Sequence, residues 1–330
     1  MKPRKFVTVI LIIIILLTAL FLYLFLTRNP LLWELPIFPK NQAKPVFLFS
    51  FGDMPGQGQL KQPMAAIADG LGSIHVSDFE RGEVVVYSPD GAFSYAYGKN
   101  APEGVRFGSP YGMAEYNGRI HVADNAGRRI LVFSQRGEYQ RVLLESNAQS
   151  EIGIFIPTAM TVDPDSGTLY IADVFQQRIL AVNQDGKLVA SLPADGGKIS
   201  LGYPNGLVLS KKKNLYVADS NNARIVVFPP DGQDVRIIEG NKEDEAELSV
   251  PRGITVDDRE NLWVVDLLTH LVSYIPGDSV AFQFGGMGLE QGELYFPNDV
   301  LLHGNGNIYV VESGQGRISV FGNKVSAAKR

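Results

Sequence analysis

The sequence predicts an all-β fold: a six-bladed β-propeller of four-stranded blades, its N-terminal strand closing the last blade, preceded by one transmembrane helix. Three observations carry the propeller. Pro63, Pro110, Pro157, Pro204, Pro251 and Pro297 recur at intervals of 47, 47, 47, 47 and 46 residues, a period that belongs to repeat architectures. Fourteen to sixteen residues after each Pro, a β-rich run ends in an acid: Asp78, Asp124, Asp173, Asp219, Asp266 and Glu312. Each unit holds four short runs of strand-forming residues separated by polar turns, the pattern of a radial blade rather than of a one-strand solenoid rung.

The N-terminus comes first. Lys2, Arg4 and Lys5 precede an apolar run over residues 6–26 that no charge interrupts. As a helix, 21 residues span roughly 32 Å, the thickness of a bilayer's hydrocarbon core. Three basic residues before the run and only Arg28 just after it place the N-terminus in the cytoplasm and the rest outside. The reading is a signal anchor over 1–28, single-pass in the cell membrane. The rival, a cleaved signal peptide, needs a shorter run and a small-residue cleavage site, and no A-x-A-like site follows. Residues 29–45 contain Pro30, Pro36, Pro39 and Pro45 and read as a stiff stalk.

The propeller is expected over 46–322, with a polar tail at 323–330. The sixth unit supplies only three strands, at 298–302, 307–311 and 317–321. The missing fourth lies upstream of the first Pro, in Val46-Phe47-Leu48-Phe49-Ser50-Phe51-Gly52. Pairing it beside 317–321 closes the ring and removes an exposed sheet edge. Five residues after the acid, four units carry Arg129, Arg178, Arg224 and Arg317, whereas units one and five carry Glu83 and Leu271. A recurring acid and Arg are expected to be structural, the carboxylate accepting turn N–H groups while the Arg pairs with it.

Composition narrows the chemistry. The chain has 330 residues, 45% of them hydrophobic and 20% charged, and no Cys, so it is not disordered and has neither disulfides nor thiolate chemistry. An exported domain without cysteines or glycosylation sequons suggests a bacterial source. The net charge of −5 is unevenly split: residues 1–28 carry four basic and no acidic side chains, leaving 26 basic against 35 acidic beyond them. An acidic domain outside the membrane argues against nucleic-acid binding.

The phrase Leu215-Tyr216-Val217-Ala218-Asp219-Ser220-Asn221-Asn222-Ala223-Arg224-Ile225 resembles the NHL repeat family, and the resemblance extends over about residues 46–322. It implies a six-bladed propeller but no single function, since its members include RNA-binding modules, sensor domains and an amidating lyase. The lyase relatives imply several histidines converging on zinc. Here His75 and His121 occupy the register that holds Tyr170, Tyr216, Trp263 and Tyr309 elsewhere, His270 lies in a strand-to-strand loop, and His303 lies in a hairpin facing the other way. Pro204-Asn205-Gly206-Leu207 also looks like gluconolactonase-type propellers, for which the resemblance implies a divalent metal on Asn205. The next unit offers Arg252 where an Asp ligand is implied, and unit one offers Met64-Ala65 where a Glu is implied. A guanidinium there repels a metal. No catalytic set, metal site or cofactor is therefore assigned.

The residues after each Pro are Met64, Tyr111, Thr158, Asn205, Arg252 and Asn298, with Asp299 next. They should ring the mouth of the central channel, and they differ while their neighbours repeat. Variable polar positions at a concave point make a candidate binding site: Tyr111, Asn205, Arg252, Asn298 and Asp299, with Arg252 pairing a carboxylate and Tyr111 offering an aromatic wall. The expected role is a membrane-tethered extracytoplasmic scaffold or sensor taking an unidentified protein or small-molecule ligand on this face. The alternative is a propeller hydrolase or lyase, gluconolactonase-like or amidating-lyase-like.

Overall fold

The structure is a computed structural model that describes residues 44–99, 101–102, 104–193, 199–240 and 248–322. The apolar run at 6–26, the stalk up to residue 43 and the tail at 323–330 lie outside the described residues. Among the described residues no helix is long and apolar enough to cross a membrane.

The described residues from Lys44 onward form one compact unit with six four-stranded antiparallel sheets. Blade one holds β2 (Pro63–Ala68), β3 (Ile74–Asp78), β4 (Glu83–Tyr87) and β5 (Phe93–Tyr97). Blade two holds β6 (Pro110–Tyr116), β7 (Arg119–Asp124), β8 (Arg129–Ser134) and β9 (Tyr139–Glu145). Blade three holds β10 (Pro157–Val162), β11 (Leu169–Asp173), β12 (Arg178–Val182) and β13 (Leu188–Leu192). Blade four holds β14 (Pro204–Leu209), β15 (Leu215–Asp219), β16 (Arg224–Phe228) and β17 (Arg236–Ile238), and blade five β18 (Pro251–Val256), β19 (Asn261–Asp266), β20 (Leu271–Pro276) and β21 (Phe282–Gly285). Blade six takes β22 (Pro297–Leu302), β23 (Ile308–Glu312) and β24 (Arg317–Gly322) from the C-terminal end and β1 (Val46–Phe51) from the other, in the order β1-β24-β23-β22. The closure expected from the sequence is the closure observed.

Each blade is covered on both faces by its neighbours, so second and third strands read as continuous buried runs rather than as alternating ones. All of β3, β4, β15 and β23 is buried. The core lies between blades: Leu143, Phe155 and Ile171 pack together from blades two and three, and Phe51, Tyr87 and Tyr309 meet where blade six joins blade one. His75 and His121, on second strands, are fully buried. His75 lies 3.2 Å from the Tyr97 hydroxyl through Nδ1 and 3.2 Å from Asp69 Oδ2 through Nε2, while His121 Nε2 lies 3.1 Å from Gln184 Oε1.

The repeated acid is a hub for main-chain donors. Asp124 Oδ1 accepts the N–H groups of Gly108, Ser109 and Gly127 at 2.9, 2.9 and 3.2 Å, and Oδ2 accepts Arg129 Nε at 3.0 Å. Arg178, Arg224 and Arg317 pair with Asp173, Asp219 and Glu312 at 3.1, 2.7 and 2.8 Å. In blade five, where Leu271 replaces the Arg, Asp266 instead accepts four backbone N–H groups. The turn before each third strand needs one left-handed residue, supplied by Gly82, Arg128, Gln177, Ala223, His270 and Gly316 at φ of 52–61°.

Candidate functional site

The inner strands β2, β6, β10, β14, β18 and β22 surround a channel of about 410 Å³. Each begins at the repeated Pro, and each departs from regular register within three residues of it. Such bulges re-aim side chains, and here they set the direction of the residue after the Pro. Met64, Thr158, Asn205, Asn298 and Asp299 line the channel, as do Gly112 and Gly253 beside Tyr111 and Arg252.

Two residues on, the chain passes close to the next blade. A Cβ on Gly206 would lie 1.9 Å from the Arg252 carbonyl oxygen, and one on Gly253 would lie 2.3 Å from Asp299 Cα. This register holds Ala65, Gly112, Ala159, Gly206, Gly253 and, in blade six, Asp299. Asp299 therefore points across the junction with blade one: Oδ2 accepts the Ala66 N–H at 3.1 Å and Oδ1 accepts the Val300 N–H at 2.9 Å. Burial raises its carboxyl from 3.8 to about 7, opposed only in part by those two N–H groups. The sequence placed Asp299 among ligand contacts at the mouth. The structure gives it main-chain partners at the ring's closing seam.

Arg252 and Asn298 do come together. Arg252 Nη1 donates to Asn298 Oδ1 at 2.9 Å, and Arg252 Nε is buried with no hydrogen-bond partner. Among the described residues no carboxylate lies within ion-pair distance of this guanidinium. Burial lowers its pKa, while Tyr111 and Tyr203 are the neighbours that favour its charge. Tyr111 is raised by burial, with Arg252 lowering it and Tyr203 raising it. Tyr111 also meets Phe79 edge-on at 6.0 Å. Sequence reasoning missed Tyr203 because it looked only after the Pro, and Tyr203 stands just before Pro204. Asn205 turns to the ring itself: its Nδ2 donates to Ser220 Oγ at 2.9 Å, and Ser220 Oγ donates to the Pro251 carbonyl at 2.6 Å. Thr158 Oγ1 likewise donates to the Pro204 carbonyl at 3.1 Å.

The divalent metal implied by the gluconolactonase-type resemblance does not fit these residues. Asn205 offers only its Oδ1, Asn298 Oδ1 receives Arg252, the Met64 side chain offers no oxygen and Arg252 brings a cation. Among the described residues no three His, Asp or Glu side chains converge on one point. The histidines stay apart. His270 Nδ1 accepts the Phe296 N–H at 3.0 Å on the mouth face, and His303 Nε2 lies 3.3 Å from the Gly72 carbonyl among the opposite hairpins.

Comparison with known proteins adds the following. Residues 135–239 match the family model described as the SMP-30/gluconolactonase/LRE-like region. No curated protein matches the chain. Among solved structures, a catalytically inactive virginiamycin B lyase from Staphylococcus aureus with quinupristin is 16% identical, with a TM-score of 0.56 over 86% of this chain and 89% of that one. A candidate gluconolactonase is 14% identical, with a TM-score of 0.63 over 88% and 97%. A nidogen/laminin complex is 20% identical, with a TM-score of 0.56 over 71% and 82%. At these identities the likeness is one of fold.

Proposed function

We propose that the working site is the mouth of the central channel and that it takes a ligand bearing an anionic group, received by Arg252. The observation that carries this is that the guanidinium has no counter-ion among the described residues. Arg129, Arg178, Arg224 and Arg317 each hold a carboxylate, whereas Arg252, largely buried, has one neutral partner and an idle Nε. A desolvated cation without a partner is costly, and an incoming anion relieves that cost. Tyr111 and Tyr203 flank the position. The test is calorimetric titration with benzoate, hexanoate and phosphate. Binding should weaken roughly 10- to 100-fold in Arg252→Gln, the loss of one charge-assisted hydrogen bond. Equal binding by the variant, or no binding of any probe, overturns the reading.

Such a mouth serves either a scaffold or an enzyme, and the comparisons support the enzyme better, through the family-model match and the hydrolase and lyase folds. In a hydrolase or lyase without the metal, Asp299 is the candidate acid–base, because a buried channel carboxyl near 7 exchanges a proton at neutral pH. Turnover of gluconolactone or quinupristin that is lost in Asp299→Asn supports this reading. A lack of turnover leaves the binding role standing alone. We place the propeller outside the cell membrane, tethered through residues 6–26 behind Lys2, Arg4 and Lys5. Protease shaving of intact cells should remove the propeller and spare the N-terminus.

A further inference from the structure

Large apolar side chains are unevenly exposed. Phe79, Phe175, Tyr203, Leu268 and Phe296 are 37–59% exposed, and all stand on loops that open onto the mouth face. Phe79, Phe175 and Leu268 lie in the second-to-third-strand turns of blades one, three and five, so they are spread around the whole ring. The turns do not need these side chains. Their hydrogen bonds are made by main chain: the Phe79 N–H to the Gln62 carbonyl, and the Phe175 and Leu268 N–H groups to Asp173 and Asp266. At the first two turn positions after the acid, blades two, four and six carry only small or polar residues, Asn125-Ala126, Ser220-Asn221 and Ser313-Gly314.

Tyr203 and Phe296 immediately precede the repeated Pro, and they hold φ of 60° and 49°. The left-handed region is unfavourable for bulky residues and more so before Pro. Phe296 packs one side of its ring against His270 and Tyr295 and leaves the rest to solvent, and strained backbone of this kind gathers at ligand clamps. Within this collar stands the Arg252 guanidinium, which has no counter-ion among the described residues.

Resting on the mouth reading above, we propose that the collar docks a protein segment presenting one carboxylate between apolar side chains, the carboxylate going to Arg252 and the apolar groups to Phe79, Phe175 and Leu268. A small molecule seated on Arg252 cannot also reach turns on three blades spaced around the ring. An anionic bilayer surface is disfavoured by charge, since the chain beyond residue 28 carries 35 acidic against 26 basic residues. A segment with a single carboxylate in apolar surroundings matches the collar in both polarity and extent.

The test uses the full chain in detergent micelles and a displayed library of random twelve-residue peptides. The expected result is enrichment of peptides with Asp or Glu flanked by apolar residues. A selected peptide should lose at least tenfold in affinity to Arg252→Gln. It should lose a similar factor to the double variant Phe175→Ser with Leu268→Ser, which leaves benzoate binding unchanged. Unaltered circular dichroism confirms that the double variant folds. Failure to enrich any peptide, enrichment of peptides without a carboxylate, or equal binding by the double variant overturns the collar while benzoate binding still reports on the mouth. Loss of benzoate binding in the double variant assigns these residues to the mouth's integrity and also overturns the collar. Flotation with phosphatidylserine vesicles that depends on Phe175 and Leu268 overturns the proposal in favour of lipid.

Discussion

Asp299→Asn should stabilise this protein increasingly as pH rises from about 5 to 7, and not at pH 4. Asp299 is the one acid in a register that five blades fill with Gly or Ala, and its folded pKa is raised from 3.8 to about 7. Below 3.8 folded and unfolded chains both hold the proton. Between 3.8 and about 7 the unfolded chain releases it and the folded chain keeps it, so stability falls as pH rises through this window. At about 1.4 kcal/mol per unit, the ionised form costs the fold on the order of 4 kcal/mol above pH 7. Asn removes that charge and keeps an acceptor for the Ala66 N–H. It turns an amide NH₂ toward the Val300 N–H, which forfeits about 1 kcal/mol. The net gain at pH 8 is then about 2–3 kcal/mol, or roughly 3–5 °C in Tm for a domain of this size. At pH 4 the variant should match the parent or fall about 1 kcal/mol below it. Thermal melts of residues 44–330, to which all six sheets are internal, measure the difference at pH 4, 6 and 8. A pH-independent difference, or a variant less stable at pH 8 than at pH 4 relative to the parent, refutes the argument.

Three further outcomes are expected. Asp173→Ala leaves three N–H groups and Arg178 Nε without an acceptor and should cost about 3–5 kcal/mol, whereas Arg178→Ala leaves the carboxylate its N–H partners and should cost about 1–2 kcal/mol; chemical denaturation ranks the two. Internal deletion of Val46–Phe51 bares the β24 edge and removes Phe51 from the seam cluster, so the cooperative melt should be lost and aggregation should appear on size-exclusion chromatography. His121 is depressed from 6.5 to about 4, chiefly by burial, so the unfolded chain takes up a proton that the folded one refuses and stability falls by up to about 3 kcal/mol as pH drops from 6.5 to 4. His121→Tyr, the residue type at this register in blades three, four and six, should flatten that acid limb in melts across the same range.

The ring was legible because its constraints repeat. The 47-residue Pro period, the acid ending each second strand and the surplus strand at the N-terminus each stand for one physical demand: a turn entry, an acceptor for turn N–H groups, and an edge that must be paired. The structure returns all three. The site was legible only as a set of positions. Which way a side chain turns depends on the bulge after each Pro, and neither the Pro spacing nor the alternation along the strand reveals that bulge. Asn205 and Asp299 line the channel, but their hydrogen bonds to Ser220 and to the Ala66 N–H could not be read from the sequence. A signal for Asp299 was present in the small residues that five blades carry at its register. Tyr203 fell outside a reading confined to residues after the Pro.

The division of labour explains why variation gathers at the mouth. Main-chain donors to the acid hubs hold the turns, and the small register lets neighbouring inner strands approach. Neither demand falls on the residue after the Pro or on the turn residues following the acid, so those positions are free to differ. Freedom alone would fill them with solvated polar residues. In blades two, four and six the two residues after the acid are small or polar, Asn125-Ala126, Ser220-Asn221 and Ser313-Gly314, but blades one, three and five place Phe79, Phe175 and Leu268 at one of these two positions. Drift has no reason to leave three exposed apolar turns around a half-buried guanidinium that has no counter-ion among the described residues, whereas a partner with an acidic centre and apolar flanks supplies one. If the collar is incidental, replacing all three by Ser should cost nothing in binding and should improve solubility. If it is a docking face, the same triple variant should lose its peptide and keep its fold.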